Sequence, residues 1–216
     1  MLIENWMTKD VITLTPETSM MKASKLMKEK RISRVPVVDE KGALVGIVSD
    51  RDIKDASPSK ATTLDMHELY YLLSEVKLKD IMTKKVMTIR VGETVERAAV
   101  ILLENNIGGL PVVDEANKVV GIVTDSDIFK VLIRITGVQE GGIEIGLRLP
   151  NQPGGLVPVL DHLKDAGARV MSLLTSCEPA EVGMRDVFIR IRDLDKAELN
   201  KLKASMKDKF EVLYWV

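Results

Sequence analysis

This 216-residue chain contains an internal sequence repeat. The segment from Trp6 to Ile53 returns without a gap as Ile81 to Ile128, at a constant offset of 75 residues. A duplicated unit of this size usually cannot bury its apolar face alone. The two copies are therefore expected to pack into one pseudo-symmetric module, and function is expected in features that both copies share.

Within each copy, the pattern predicts a helix, two apolar strands around a polar turn, and a second helix. In the first copy, the first helix is expected to start at Thr15 to Thr18 and to stop near Arg31. Residues at helical spacing define this helix and its counterpart: Ala23, Leu26, Met27 and Lys30 in the first copy, and Val95, Ala98, Ala99, Leu102 and Leu103 in the second.

Composition narrows the class of protein. Lysine and arginine (31) nearly balance aspartate and glutamate (32), so the net charge of −1 gives no steering toward nucleic acid or an anionic membrane. A single cysteine excludes an internal disulfide, and two histidines offer no zinc ligand set. The chain has no run of about 18 apolar residues, and residues 1–6 lack a basic segment followed by an apolar one, so neither membrane spanning nor secretion is expected. A cytoplasmic protein without nucleic-acid, membrane or metal partners is expected.

A third unit follows the glycines near residues 137–142. Its pattern reads strand, helix, strand, strand, helix, strand, the βαββαβ order of a ferredoxin-like sheet with two helices on one face. The helices are expected at Leu156 to Ala166 and Lys196 to Lys207. Their predicted buried stripes are Leu156, Leu160 and Leu163 in the first, and Leu199, Leu202 and Met206 in the second.

The repeated motifs resemble the CBS domain, whose signature has a Met-Thr segment, an apolar Pro-Val strand that ends in Asp, and a closing Gly-x-x-Ser/Thr-x-x-Asp-Ile/Leu. Three pairs of segments carry this likeness: Met7-Thr8-Lys9 and Met82-Thr83-Lys84, Pro36 to Glu40 and Pro111 to Glu115, and Gly46 to Ile53 and Gly121 to Ile128.

The third unit is similar to the ACT domain, since Asn151 to Leu156 matches that family's x-x-P-G-x-L turn. A CBS pair followed by an ACT-like unit is the layout of the acetoin-utilisation protein B family. The implied fold is α/β (α+β), a tandem CBS pair or Bateman module followed by a ferredoxin-like ACT domain. The expected boundaries are residues 1–60 for CBS domain 1, 61–79 for a helical connector, 80–137 for CBS domain 2 and 143–216 for the ACT-like domain. In the connector, His67, Tyr70 and Tyr71 are expected to be packing residues.

The closing signature places a hydroxyl and a carboxylate three residues apart where a strand meets a helix, as Ser49 with Asp52 and Thr124 with Asp127. Backbone amides at a helix start favour a phosphate, and the hydroxyl can donate another hydrogen bond to it. A carboxylate is better placed to accept hydrogen bonds from a ribose diol. The pattern indicates a nucleotide site; the alternative is that these residues only cap their helix.

The CBS resemblance implies that the adenine base lies between two strands of each copy, against Thr13, Ser33, Arg34 and Pro36, and against Thr88, Gly108, Gly109 and Pro111. Without a ligand, the same residues would be ordinary core. The copies differ in charge, because Arg34 and Arg51 are replaced by Gly109 and Ser126. Unequal sites are therefore predicted, with a polyphosphate preferring the arginines, unless these are simply solvated surface residues.

The leading hypothesis is a non-enzymatic sensor: the pair binds an adenine nucleotide such as AMP, ADP or ATP, or a related adenosyl ligand, and a partner enzyme or the ACT-like unit responds. A homodimer is expected, with no catalytic residue, catalytic cofactor or metal. Two alternatives stay open, a dimerising scaffold without a small ligand and an enzyme whose motifs are unfamiliar. An amino-acid site at Pro153-Gly154-Gly155 is less favoured than a unit that only dimerises.

Overall fold

The computed structural model describes residues 1–57, 74–178 and 180–216. The predictions for His67, Tyr70 and Tyr71, and for most of the connector, lie outside these residues. The chain divides into two compact units, Met1–Ile128 and Phe129–Val216.

The first unit contains both copies of the repeat. In the first copy, the elements are α1 Met20–Lys30, β1 Arg34–Val38, β2 Leu44–Ser49 and α2 Asp50–Asp55. The second copy has α3 Leu78–Ile81, β3 Ile89–Arg90, α4 Val95–Glu104, β4 Gly109–Val113, β5 Val119–Thr124 and the start of α5, Asp125–Thr136. The predicted helix, hairpin and helix are present in each copy.

Helix α1 begins later than predicted. Its N-cap is Ser19, whose hydroxyl accepts a hydrogen bond from the Lys22 amide at 3.3 Å. The predicted start at Thr15 to Thr18 is wrong because the amide of Thr18 closes a turn on the Thr15 carbonyl instead, at 3.0 Å. The predicted stop is confirmed, since Arg31 takes the left-handed conformation that ends a helix (φ 53°).

Two apolar residues of the predicted helices, Leu103 and Leu160, are exposed rather than buried. Leu103 is 83% exposed, and the buried positions of α4 are Val95, Ala98 and Leu102. A helix advances about 100° per residue, so the residue after Leu102 faces away from the core. By the same geometry, Val159 takes the buried position predicted for Leu160.

The two copies exchange their leading segments, which are residues 3–8 for the first copy and residues 78–83 for the second. Each segment packs against the other copy. Ile3 is fully buried in the cluster that contains Leu110 of the second copy, and Thr8 exchanges two 3.0 Å backbone hydrogen bonds with Ile122. In the mirror arrangement, Leu78 is buried in the core of the first copy, and Thr83 pairs with Ile47. Each core therefore depends on residues that precede the other copy in sequence.

Glycine in the closing signature makes room for this exchange. A Cβ at Gly121 would collide with the side chain of Met7, and a Cβ at Gly46 would collide with Met82. The methionine of each Met-Thr segment thus packs directly on the backbone of the opposite hairpin. This contact explains why methionine and glycine both occur in each copy of the repeat.

The second unit has the predicted order of elements. These are β6 Ile143–Pro150, α6 Val157–Asp165, β7 Val170–Ser176, β8 Met184–Ile191, α7 Lys196–Lys209 and β9 Glu211–Trp215. The strands form one sheet in the order β7-β8-β6-β9, and all neighbours are antiparallel. Residues from both helices and from strands β6 and β8 share one buried cluster.

Among the residues that the structure describes, no helix has the length and apolar character that a bilayer span requires.

Candidate functional site: two matching helix corners

Corner 1, which we define as Ser49 to Asp52, lies where β2 passes into α2. The Asp52 carboxylate oxygen Oδ2 accepts hydrogen bonds from the Ser49 amide and the Ser49 hydroxyl, both at 2.7 Å. The Ser49 hydroxyl oxygen in turn accepts from the Asp52 amide at 3.2 Å. Together these bonds form a capping box.

Corner 2, Thr124 to Asp127, lies where β5 passes into α5 and has the same bonds. Oδ2 of Asp127 accepts from the Thr124 amide at 3.0 Å and from the Thr124 hydroxyl at 2.8 Å. Asp127 is 8% exposed, which makes it one of the few buried acidic residues of the described chain. The shared geometry shows that the repeat preserves a side-chain arrangement as well as a backbone fold.

Helix capping therefore describes what both corners do in the absence of a ligand. Capping does not use all of the carboxylate, because each carboxylate oxygen has two acceptor sites. In Asp52, both hydrogen bonds from Ser49 end on Oδ2, and within the described part of the chain Oδ1 accepts none. The cap holds this carboxylate in one orientation, which is compatible with a further acceptor role toward hydroxyl groups.

Of the other predicted residues of the first copy, Ser33 and Arg34 lie at this corner, and Thr13 and Pro36 lie on adjacent segments. Arg34 pairs with Ser49 across the hairpin, and the Ser33 carbonyl accepts from the Asp50 amide at 2.8 Å. The segment that contains Thr13 runs parallel to β1, because the Leu14 amide donates to the Pro36 carbonyl at 3.1 Å.

The second copy repeats this placement at corner 2. Gly109 pairs with Thr124, and the Gly108 carbonyl accepts from the Asp125 amide at 3.4 Å. Thr88 precedes β3, which pairs in parallel with β4. Gly109, Pro111 and Pro36 are buried, so without a ligand these three residues pack as ordinary core.

Arg34 crosses from the first copy into the second. Its guanidinium donates a hydrogen bond to the carbonyl of Gly108. A Cβ at Gly108 or at Gly109 would collide with this guanidinium. The side chain of Arg34 therefore fills the space that the two glycines leave open, and the two corners are unequal.

The charge environment of Arg34 is shared between the copies. Burial lowers the pKa of its guanidinium, while the nearby carboxylates of Asp125 and Asp50 oppose that shift. Arginine remains charged at neutral pH, so a partly buried cation lies near the first turns of α2 and α5. Arg51, in contrast, is exposed on α2.

Sequence reasoning missed this cross-copy contact. The available signal was the Asp that opens each closing helix, Asp50 and Asp125, which the repeat preserves. Both carboxylates face the same arginine, and an arginine at one position with glycine at its counterpart implies that the side chain has room on the opposite copy.

The CBS domain family matches residues 3–59 and 78–134 of this sequence. Together these segments exceed half of the 216 residues.

The chain belongs to the CBS domain family.

Solved CBS pairs share its fold. The CBS pair of protein MJ0100, crystallised with 5-methylthioadenosine and S-adenosyl-L-methionine, is 33% identical, with a TM-score of 0.51 over 61% of this chain and 95% of that one. CBSX2, crystallised with AMP, is 32% identical, with a TM-score of 0.52 over 62% and 97%. A Vibrio cholerae protein named as an acetoin utilization protein (AcuB) is 31% identical, with a TM-score of 0.54 over 65% and 96%.

Relatives differ in how much of their length this CBS pair accounts for. A CBS domain-containing protein from Dictyostelium discoideum is 34% identical over 134 residues, which cover 62% of this chain and 92% of that protein. An L-aspartate semialdehyde sulfurtransferase from Methanocaldococcus jannaschii is 35% identical over 127 residues, 59% of this chain but 22% of that enzyme. Some relatives are thus named as enzymes in which the matching region is a small part.

The family match ends at residue 134, before the second sheet. The likeness of residues 143–216 to the ACT domain therefore stays a prediction from the sequence, alongside the observed order of its elements. Among the described residues, no group of three or more His, Cys, Asp or Glu side chains has the arrangement to hold a metal ion.

Proposed function

We infer that this CBS pair is a non-enzymatic sensor of an adenosine compound, such as AMP, ADP, ATP or a related adenosyl ligand. The observation that carries the proposal is the pair of matching corners, in a chain that is 32–33% identical to CBS pairs crystallised with AMP or with 5-methylthioadenosine and S-adenosyl-L-methionine. Occupancy would be passed to the second unit, which we regard as ACT-like, or to a partner enzyme.

We assign the ribose and the phosphate of the ligand to different side chains at each corner. The hydroxyl protons of Ser49 and Thr124 already serve the carboxylates of Asp52 and Asp127. We therefore assign the ribose diol to the carboxylates, and the phosphate to Arg34 rather than to the hydroxyls. A guanidinium suits this role because it forms paired hydrogen bonds with phosphate oxygens.

The adenine base is assigned to the strands that precede each corner. Thr13 with Pro36, and Thr88 with Pro111, lie on neighbouring parallel segments. The apolar residues around them offer a flat surface for a base, which is also why they pack as core in the absence of a ligand.

Thermal unfolding with AMP, ATP, 5-methylthioadenosine and S-adenosyl-L-methionine tests the proposal. A ligand at 100 times its Kd adds about 2.7 kcal/mol to the stability of the folded state, which raises Tm by roughly 5–10 °C for a unit of this size. A rise with at least one adenosine compound, but not with inorganic phosphate, is expected. No rise with any of them would favour the scaffold, and turnover of a ligand would favour the enzyme.

A homodimer is part of the proposal, since α4 leaves apolar residues uncovered. Val100 is 41% exposed and Leu103 is 83% exposed, and residues three apart share a helix face. Because exposed apolar patches often mark protein interfaces, the same samples are expected to have about twice the 24.0 kDa mass of one chain by light scattering.

Replacement of Arg34 by glycine is expected to separate phosphate recognition from nucleoside recognition. Loss of a charge-assisted hydrogen bond weakens ATP binding by about 10- to 100-fold, whereas the affinity for uncharged 5-methylthioadenosine stays within about threefold. Isothermal titration calorimetry measures both. Equal losses for the two ligands would contradict the assignment of the phosphate to Arg34.

Two further variants serve as controls for this result. Because Arg51 is exposed, we assign it the alternative role of a solvated surface residue; Arg51→Gly removes the same charge and is expected to leave ATP affinity within about twofold of the original value. The double variant R34G/G109R is expected to restore ATP binding, because removal of Arg34 opens the space beside position 109 for a new guanidinium.

A further inference from the structure

The helix that begins at corner 2 ends within the second unit. Helix α5 runs without interruption from Asp125 to Thr136, a length of about 18 Å. Its first turn contains Asp127, and Gly137 ends it in the left-handed conformation (φ 67°). One secondary-structure element thus contains a residue of corner 2 at its start and residues of the sheet unit at its end.

The last carbonyl of this helix is held by the sheet. The carbonyl oxygen of Thr136 accepts a hydrogen bond from the Ser172 hydroxyl at 2.9 Å and another from Arg190 Nε at 3.1 Å. Carbonyls in the final turn have no partner within the helix, and a cation there interacts favourably with the helix dipole. We call Ser172 and Arg190 the Thr136 clamp.

Arg190 is itself fixed from several sides. Its Nη2 donates to Glu144 Oε2 at 2.7 Å and its Nη1 to the Gly141 carbonyl at 3.4 Å, and the residue is 9% exposed. The other oxygen of Glu144 accepts from the Tyr214 hydroxyl at 2.8 Å. Burial, with help from Glu144, raises the pKa of Tyr214 to about 12, so it stays a donor. Neighbouring strands therefore hold the clamp in one position.

We propose that the Thr136 clamp is the element through which the sheet unit senses the state of corner 2. The proposal rests on the proposed function only for the identity of the ligand. A ligand that stabilises the first turn of α5 raises the stability of a cooperative helix whose last turn is bonded to β7 and β8. Coupling of this kind is reciprocal, so loosening the clamp also loosens the corner.

Hydrogen–deuterium exchange of Ser172→Ala without ligand tests the reciprocal direction. The variant removes one donor to Thr136 and leaves Arg190 in place. Exchange is expected to accelerate about three- to tenfold at residues 133–137, and at least about twofold at residues 124–128. Acceleration confined to residues 133–137 overturns the proposal, whether or not any nucleotide binds.

Ser176→Ala is the matched control. Ser176 lies on the same strand, and its hydroxyl bonds to the Glu178 carbonyl at 2.6 Å rather than to the helix. Its replacement is expected to leave exchange at residues 124–137 unchanged. Equal acceleration in this control would assign the effect to strand β7 in general and overturn the role of the clamp.

A second arm adds saturating ATP. In the original protein, ATP is expected to slow exchange at residues 124–128 and also in β7 and β8; in Ser172→Ala, the slowing in the strands is lost while that at the corner persists. If ATP slows exchange at residues 124–128 of the original protein but not in β7 and β8, or slows the strands equally in Ser172→Ala, the clamp is overturned. Absence of any ATP effect overturns nucleotide sensing instead, and the ligand-free arm still decides the clamp.

Discussion

Replacement of Ile3 by alanine is expected to lower the free energy of unfolding of the first unit by about 2–5 kcal/mol. The side chain is fully buried, and its neighbours in the core are residues of the second copy, among them Ala98 and Leu110. The cavity would therefore open far along the chain from the substituted residue. Amide exchange should accelerate first at Leu102, Leu110 and Val123 rather than in the first copy.

Urea unfolding measures the loss of stability, and two variants control it. Leu2→Ala changes the neighbouring residue, which is 46% exposed, and is expected to cost less than about 0.5 kcal/mol. Leu78→Ala is the mirror change and is expected to loosen the first copy instead. If Ile3→Ala accelerated exchange equally in both copies, the exchanged leading segments would not be the units of packing that the structure indicates.

The double substitution of Asp52 and Asp127 by asparagine is expected to weaken binding of AMP and ATP about 10- to 100-fold at each corner. Each carboxylate is assigned to the ribose diol, and hydrogen bonds to a charged acceptor contribute about 1.5–3 kcal/mol. The amide of asparagine keeps one acceptor oxygen, so much of the helix cap is retained and the variant remains folded. Calorimetric titration gives the affinities, and thermal unfolding without ligand checks the fold.

A matched control is available at the other end of each hairpin. Asp39 and Asp114 also hold their own backbone, since Oδ1 of each accepts two amide hydrogen bonds in the turn. Their replacement by asparagine removes the same charge at a similar structural cost. This control should bind nucleotides like the original protein; affinities of D52N/D127N within about twofold of the control would reduce both corners to helix caps.

Periodicity in the sequence predicted the order of elements because burial repeats with the geometry of the backbone. The apolar runs predicted the hairpin of each copy, and the pattern of the third unit predicted the order of its strands and helices. The buried face of each helix was less well predicted: Leu160 was expected to be buried and is exposed, as is Leu103 on α4. Which of two adjacent apolar residues faces the core depends on the rotation of the helix against its sheet, and local spacing does not specify that rotation.

The candidate site also has a part that the sequence predicted and a part that it did not. The paired Ser/Thr and Asp residues were evident from the repeat, and Ser33, Arg34, Gly108 and Gly109 lie beside them at the ends of the hairpins. The position of Arg34 was not evident, because the space it occupies is created by Gly108 and Gly109, which lie 74 and 75 residues further along the chain. Contacts between copies appear only when both copies are folded.

The sequence by itself determined that two copies of one unit fold alike, with a capped corner at the end of each hairpin, because local propensity and burial pattern specify such elements residue by residue. Only the tertiary structure decided that the copies exchange their leading segments and that one arginine lies near both corners. The physical reason is that these contacts bury apolar side chains and bring opposite charges together across some 75 residues of sequence. Chain connectivity alone does not make residues that far apart neighbours.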